Sequence, residues 1–397
     1  MDGVTDKTKD RATDKTTDKT TDKTKDKAMH KAMKTAVVGC GAISDIYLTN
    51  MINRFSNLEV VSCCASHLVH AQEKAEKYGI RGCTYEEILE DPEIELIVNL
   101  TPAPAHYDII RRALLAGKHV YTEKTMTVTL EEAKELVRLA DEKGLYLCSA
   151  PDTFMGASLQ TARKAIDDGR IGEVTSCVVY GNRDLNLLAS ICSFLRMPGG
   201  GICFDYGVYY MTGLVSLLGP VRRVAGTVRN PWPQRRFMIP DAPEYGKEMD
   251  YPNETQVSAL LEFESGITGT FHLNGDSNLV DETGFVVFGT KGILKLANPN
   301  HFGGQVSVIP NSYEHGNPPL PQVLDFGLEY ADNSRGIGPA EMALAVREGR
   351  KARTDKELAY HVLEVLCGIV ESSERETFIH MKSTCSRPQP MTLGLIQ

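Results

Sequence analysis

The chain has no run of about eighteen apolar residues, so nothing in it reads as a membrane-spanning helix. It lacks a basic excess as well. Lys and Arg number 43 against 52 Asp and Glu, a formal net charge of −9, which argues against a general nucleic-acid binder. None of the ten cysteines forms a Cys-x-x-Cys pair. Cys63 and Cys64 are adjacent, a spacing that suits neither a disulfide framework nor a zinc site. His301, His315 and His361 lack metal-ligand spacing. These absences lead to the expectation of a cytoplasmic protein with reduced, partly buried thiols, no metal, and no nucleic-acid or membrane partner.

Residues 1–32 have almost no apolar side chains. Thr-Asp-Lys recurs there, and such a tract cannot bury enough surface to offset chain entropy, so a disordered low-complexity tail is expected. It has neither the apolar core of a secretion signal nor the arginine and serine of a transit peptide. An inert tail fits, or a start called too early, with Met33 as the functional beginning. The whole chain of 397 residues is 42% hydrophobic and 24% charged, an ordinary globular balance whose length suggests two domains.

From Lys34 the pattern alternates. Apolar strands read at Lys34–Val38, Leu58–Cys64, Leu96–Leu100 and His119–Thr122. Helices read at Asp45–Phe55, Ala71–Tyr78, Tyr107–Ala116 and Leu130–Lys143, the last three closed by Gly79, Gly117 and Gly144. This is the rhythm of a doubly wound parallel sheet, here over residues 33–152. After Asp152 the rhythm changes. A helix at Ser158–Asp168, a strand at Val174–Gly181 and a helix near Tyr206–Leu218 are followed by strands at Val221–Val228, Gln256–Glu264, Thr268–Leu273, Gly284–Phe288 and Ile293–Leu296. Helices return at Pro339–Glu348 and Lys356–Glu371. Strands without intervening helices predict an α+β domain over 153–397 with a large, mostly antiparallel open sheet.

The first strand runs into Gly39-Cys40-Gly41-Ala42-Ile43-Ser44. Gly39 permits a tight turn and Gly41 lets a pyrophosphate approach the backbone. The following helix start, through Ala42 and Ile43, offers N–H groups to it. Such a turn is weak evidence alone and much stronger after the first strand of an alternating pattern, where it points to a dinucleotide, NAD or NADP. The ribose-binding carboxylate expected at the end of the second strand is missing. Ser66 and His67 stand there instead and can meet a 2′-phosphate, so the residues lean to NADP.

Several ordered motifs follow. Thr101-Pro102-x-x-x-His106 precedes Ala116-Gly117-Lys118-His119-Val120-x-x-Glu123-Lys124. Gly199-Gly200-Gly201-x-x-x-Asp205-x-Gly207-x-Tyr209 and Gly289-Thr290-Lys291-Gly292 come later. With these, the chain resembles the Gfo/Idh/MocA oxidoreductases from about Met33 to beyond Cys367. The resemblance implies a Rossmann domain, an open-sheet domain used for homo-oligomer contacts, and a sugar, polyol or glycoside substrate. It implies Lys124, Asp205 and Tyr209 as catalytic residues, and Thr101, Pro102, His106, Glu123 and Lys124 beside the cofactor. The family usually reads Glu-Lys-Pro; here Thr125 replaces the proline. A cis bond before a non-proline residue costs about 2.5–4 kcal/mol, so the aim of Lys124 stays open at this point.

Oxidising a secondary alcohol needs a hydride acceptor and a base. An unperturbed tyrosine has a pKa of about 10, and a nearby ammonium favours phenolate. Lys124 can supply the ammonium, and Asp205 can orient the pair. Asp152 and Thr153, where the chain leaves the first domain, and Arg183, at the end of a strand, are candidates to touch substrate. Trp232, the only tryptophan, can stack on a sugar or anchor a loop. Three functions stay open on sequence: a dehydrogenase that can act at C3 of a glycoside, a cofactor-retaining enzyme that recycles NAD(H) as a sugar–sugar oxidoreductase or glycosidase, and a non-catalytic nucleotide sensor.

Overall fold

The structure, a computed structural model, describes residues 31–312, 317 and 319–396. The tail expected over 1–32 therefore falls almost wholly outside the described residues, as does His315. Met33 opens the first strand and is fully buried.

The first layer is built from β1 (Met33–Val38), α1 (Ser44–Asn53), β2 (Leu58–Cys64), α2 (Leu68–Tyr78), β3 (Arg81–Gly82), α3 (Tyr85–Glu90), β4 (Leu96–Asn99), α4 (His106–Leu115), β5 (His119–Thr122), α5 (Leu130–Lys143) and β6 (Leu147–Ser149). Its six strands run in the order β3-β2-β1-β4-β5-β6, all parallel. The strand order reverses between β1 and β4, which opens a crevice at their carboxyl ends. Local signals set the helices: Thr129 and Glu132 form a capping box at the start of α5, and Gly144 closes it at φ 64°. The sequence reading lacked β3, α3 and β6, all six residues or shorter and therefore weak in periodicity.

The second layer comprises α6 (Ala157–Asp167), β7 (Val174–Asn182), α7 (Leu185–Ile191), the single turn α8 (Ile202–Asp205), α9 (Gly207–Leu218), β8 (Val221–Arg229), β9 (Gln234–Arg236), β10 (Glu248–Asp250), β11 (Gln256–Phe263), β12 (Thr268–Asn274), β13 (Gly284–Gly289), β14 (Gly292–Leu296), β15 (Val306–Pro310), β16 (Gln322–Leu324), α10 (Ile337–Glu348), α11 (Lys356–Arg375) and β17 (Ile379–His380). The nine-stranded sheet runs β16-β15-β14-β13-β7-β12-β11-β8-β17. It is antiparallel except that β7 and β12 pair in parallel. The long connection through α7, α9, β8 and β11 supplies the crossover that a parallel pair requires. Every residue of α9 is buried, because it lies between the sheet and α11.

Helices α10 and α11 return to the first sheet: Asn57 Nδ2 donates to Ala340 O at 2.7 Å, and Cys148 bridges to Asp355. The crevice at the β1/β4 switch point thereby faces the N-terminal end of α10 and the α8–α9 turn. Among the described residues no helix is long and apolar enough to cross a membrane, and no group of three or more His, Cys, Asp or Glu could hold a metal.

Candidate active site

Gly39 takes φ +102°, and a Cβ there would lie 2.8 Å from the carbonyl carbon of Leu100, so the turn accepts only glycine. A Cβ on Gly41 would meet nothing within 4 Å. That open space lies at the head of α1, whose N-cap residue Ile43 provides no side-chain cap. Ser44 is buried and its Oγ donates to Gly41 O at 2.6 Å, pinning the turn. A glycine open to solvent beside uncapped helix amides fits a dinucleotide pyrophosphate. At the end of β2, Ser66 and His67 are exposed, and His70 stands 5.8 Å from His67, ring to ring.

The loops after β4 and β5 are tied together by His106. Its Nε2 lies 2.7 Å from Thr101 O and its Nδ1 2.7 Å from Thr125 O. Burial pushes the His106 pKa down, and the hydrogen bonds to Thr101 and Thr125 oppose it. A neutral ring can donate to only one of the two carbonyls. Thr101 also donates through Oγ1 to Asn99 Oδ1 at 2.8 Å, ahead of Pro102. Glu123 accepts from Tyr47 Oη at 2.8 Å and from the Lys124 amide at 3.0 Å. The Lys124–Thr125 peptide is cis.

Lys124 Nζ donates to Asp205 O at 3.0 Å and pairs with Asp205 Oδ1. Arg183 Nη1 lies 2.5 Å from the other carboxylate oxygen of Asp205. The Asp205 side chain is only 6% exposed, so neither pair is screened as a surface bridge would be. Burial works against both charges, but Lys124 and Arg183 hold the Asp205 carboxyl below its ordinary value, and Asp205 with Tyr209 and Glu123 holds Lys124 above its own. Both directions describe an ionised pair. Tyr209 is nearly buried, and Lys124 Nζ stands 5.5 Å from its ring centroid. The helix breaks at Tyr206 between α8 and α9, and the break still leaves Asp205 and Tyr209 both against Lys124.

The other sequence candidates are placed differently. Asp152 is 1% exposed, and its Oδ2 accepts from the Gly336 and Gly338 amides at 3.2 and 3.1 Å, at the head of α10. Burial pushes its pKa to about 6. Thr153 is buried beside it. Trp232 is 57% exposed and lines a separate surface groove of about 300 Å³ with Asn186, Arg235 and Glu248.

Two residues absent from the sequence reading frame the site. Arg335, in the loop before α10, donates to Asn300 Oδ1 at 3.1 Å and to Asn333 Oδ1 at 2.8 Å, and Tyr209, Tyr47 and Asp152 hold its pKa above the ordinary value against burial. Glu254 accepts from the Cys203 amide at 3.0 Å and occupies the space that a side chain on Gly201 would need. Burial pushes its carboxyl to about 7. Neither lies in a motif, and only the requirement for glycine at Gly201 hints at Glu254.

Residues 33–150 match the oxidoreductase family with an NAD-binding Rossmann fold, and residues 159–295 match the GFO/IDH/MocA C-terminal domain. An uncharacterized oxidoreductase of Schizosaccharomyces pombe is 33% identical over 191 residues, 47% of this chain and 52% of that protein. The matches to this and two further oxidoreductases span about half of each relative's length. The trans-1,2-dihydrobenzene-1,2-diol dehydrogenase of Bos taurus is 26% identical over 316 residues, 79% of this chain and 86% of that enzyme. A solved structure of levoglucosan dehydrogenase, in complex with NADH and L-sorbose, aligns with a TM-score of 0.77 over 88% of this chain and 99% of its own. At 18% identity that likeness is one of fold.

Proposed function

Because the chain belongs to the Gfo/Idh/MocA family of NAD-binding oxidoreductases, we propose that it oxidises a secondary alcohol of a sugar, polyol or glycoside, C3 of a glycoside included. The observation that carries this reading is the convergence of Lys124, Asp205 and Tyr209 from the two layers on one point beside the dinucleotide crevice. A nicotinamide cofactor bound there supplies the hydride acceptor. Lys124, kept charged by Asp205, hydrogen-bonds the alcohol oxygen and fixes its place. Tyr209 takes the hydroxyl proton. Lys124 beside it favours the phenolate that accepts the proton and the negative charge left on the alcohol oxygen as that proton leaves. Asp205 holds Lys124 through both its carboxylate and its backbone oxygen and so sets the ammonium's position.

Ser66, His67 and His70 favour NADP, since they offer donors and no carboxylate at the ribose end. The open sheet supports a homo-oligomer, with Tyr180 and Leu260 exposed on its outer face. The dihydrodiol dehydrogenase relatives support a small diol-like substrate.

A panel of sugars, polyols and glycosides assayed with cofactor-loaded protein tests the reading. Lys124→Ala and Tyr209→Phe are expected to lower turnover by about 100-fold or more while leaving cofactor affinity nearly unchanged. Near wild-type turnover in both variants would sink the assignment. Product formed without release of reduced cofactor would instead place the protein among enzymes that recycle it.

A further inference from the structure

Between α7 and the β9–β10 hairpin the surface carries a groove of about 300 Å³, at the lower end of the range for small-ligand sites. It is lined by Asn186, Trp232, Gln234, Arg235, Arg236 and Glu248. The hairpin is pinned to α7 through Arg235. Its guanidinium donates to Asn186 Oδ1 at 2.8 Å and to Asp276 Oδ1 at 2.6 Å, and the Arg235 and Asp276 side chains are 1% and 3% exposed. Thr255 Oγ1 donates to the second Asp276 oxygen at 2.7 Å. A buried charge pair that is also hydrogen-bonded is costly to separate, so the groove is preformed.

Trp232 gives the groove its apolar face. Pro231 and Pro233 restrict the backbone on either side of it, and its amide donates to Asn230 Oδ1 at 3.2 Å. Asn230 Nδ2 in turn donates to Tyr251 O at 2.7 Å and to Asn253 O at 2.8 Å. The indole is more than half exposed, and no aromatic ring or cation is stacked on it among the described residues. Arg236 and Glu248 are register partners in the hairpin, and neither side chain has a hydrogen bond or ion pair among the described residues. They offset each other in charge, and Arg235 is matched by Asp276, so the lining does not call for an anion. Amide, guanidinium and carboxylate groups each present two coplanar polar atoms, which suit adjacent hydroxyls. The C–H face of a sugar ring suits the indole, whose large ring binds apolar surface while its N–H stays at the rim.

Two short connections lead from this groove to the candidate active site. Asn186 lies three residues after Arg183, a span of at most about 11 Å, and Arg183 Nη1 holds Asp205 Oδ2 at 2.5 Å. The Arg235 guanidinium stands 4.8 Å from the Tyr251 ring centroid, and the Tyr251 hydroxyl donates to Gly200 O at 3.1 Å, in the loop that leads into α8 and Asp205.

We propose that the substrate is a glycoside of at least two linked sugar rings, one oxidised between Lys124 and Tyr209 and the next stacked on Trp232 in this groove. This rests on the oxidoreductase reading and narrows its substrate class to disaccharides and longer glycosides. The reacting ring keeps the vicinal hydroxyls of a diol.

Trp232 is the only tryptophan, so tryptophan fluorescence reports this groove and requires no turnover. Cellobiose, maltose and sucrose are titrated against glucose by fluorescence, with and without oxidised cofactor, and then compared as substrates. At least one disaccharide is expected to give a saturable response and to bind at least about ten-fold more tightly than glucose. Trp232→Ala should erase the kinetic preference for that disaccharide, mostly through KM, and Trp232→Phe should keep part of it. Arg236→Ala retains the fluorophore and should weaken the fluorescence titration by about ten-fold.

No fluorescence response to any disaccharide, or equal kcat/KM for the disaccharides and glucose, overturns the proposal and leaves the oxidoreductase reading intact. A response with a kinetic preference untouched by Trp232→Ala would make the groove an independent sugar site and overturns its place in substrate binding. Saturable disaccharide binding at Trp232 with no oxidation of any sugar would support the groove and count against the oxidoreductase reading alone.

Discussion

Arg183 Nη1 lies 2.5 Å from Asp205 Oδ2, on the oxygen that Lys124 does not hold, so one buried carboxylate fixes two cations from different parts of the chain. Lys124 follows β5 in the first layer, and Arg183 follows β7 in the second. Asp205 is therefore a joint between the layers as well as part of the candidate catalytic group.

Replacing Asp205 with Asn is expected to act in two ways. Turnover should fall by about 100-fold as Lys124 loses its fixed position. The alkaline limb of the kcat/KM profile should also move to lower pH. Asp205 holds the Lys124 pKa up, so without it the ammonium loses its proton sooner as pH rises. The profile measured for wild type and Asp205→Asn checks this; an unmoved alkaline limb would remove Lys124 from the titrating groups.

The two glycines of the first turn should respond oppositely. Gly39→Ala forces a Cβ into φ +102° and against the Leu100 carbonyl carbon, which should destabilise the fold by about 1–3 kcal/mol. Gly41→Ala adds a methyl where the protein has nothing within 4 Å, so the melting temperature of the cofactor-free protein should hardly change. Dinucleotide affinity should fall all the same, since the methyl occupies the space left for pyrophosphate. Melts with and without cofactor separate the two effects.

A carboxylate placed at the end of β2 should change the cofactor preference. His67→Asp is expected to improve NAD binding relative to NADP by about ten-fold or more, by clamping the ribose hydroxyls and repelling a 2′-phosphate. Calorimetric titration with both dinucleotides checks it, and clear NAD preference in the unaltered protein would reverse the NADP reading.

Asp152 should leave a signature in stability against pH. Its folded pKa of about 6 stands above the ordinary 3.8, so the folded chain keeps the proton to higher pH than the unfolded chain. Stability from this group is then full below about pH 4, declines as pH rises towards 6, and is absent above it. Asp152→Asn cannot ionise. Relative to wild type it should gain about 3 kcal/mol between pH 4 and pH 8. Denaturant melts at the two pH values measure the gain, and a parallel offset at both would show that Asp152 does not titrate in that window.

The dinucleotide turn was legible because its requirements are local. Gly39, Gly41 and Ser44 sit between a strand and a helix whose periods can be read from the chain. Lys124, Asp205 and Tyr209 became legible only through ordered motifs. Their meeting at the crevice comes from the way α8 and α9 pack, including a helix break at Tyr206 that a spacing of four residues does not reveal. Asp152 shows the converse: a polar residue at the domain exit looks exposed to the cleft in sequence, yet the return of α10 buries it against the Gly336 and Gly338 amides.

By itself, the sequence determined the alternation of strands and helices, the site of the glycine turn and the absence of a ribose carboxylate, since each depends on residues within a few positions of one another. The tertiary structure alone decided that Asp205 serves both Lys124 and Arg183, that Glu254 stands over Gly201, and that Arg335 donates to Asn300. Those relations join residues far apart along the chain. They exist because the second layer packs against the first, where burial and charge, and not sequence spacing, choose the partners.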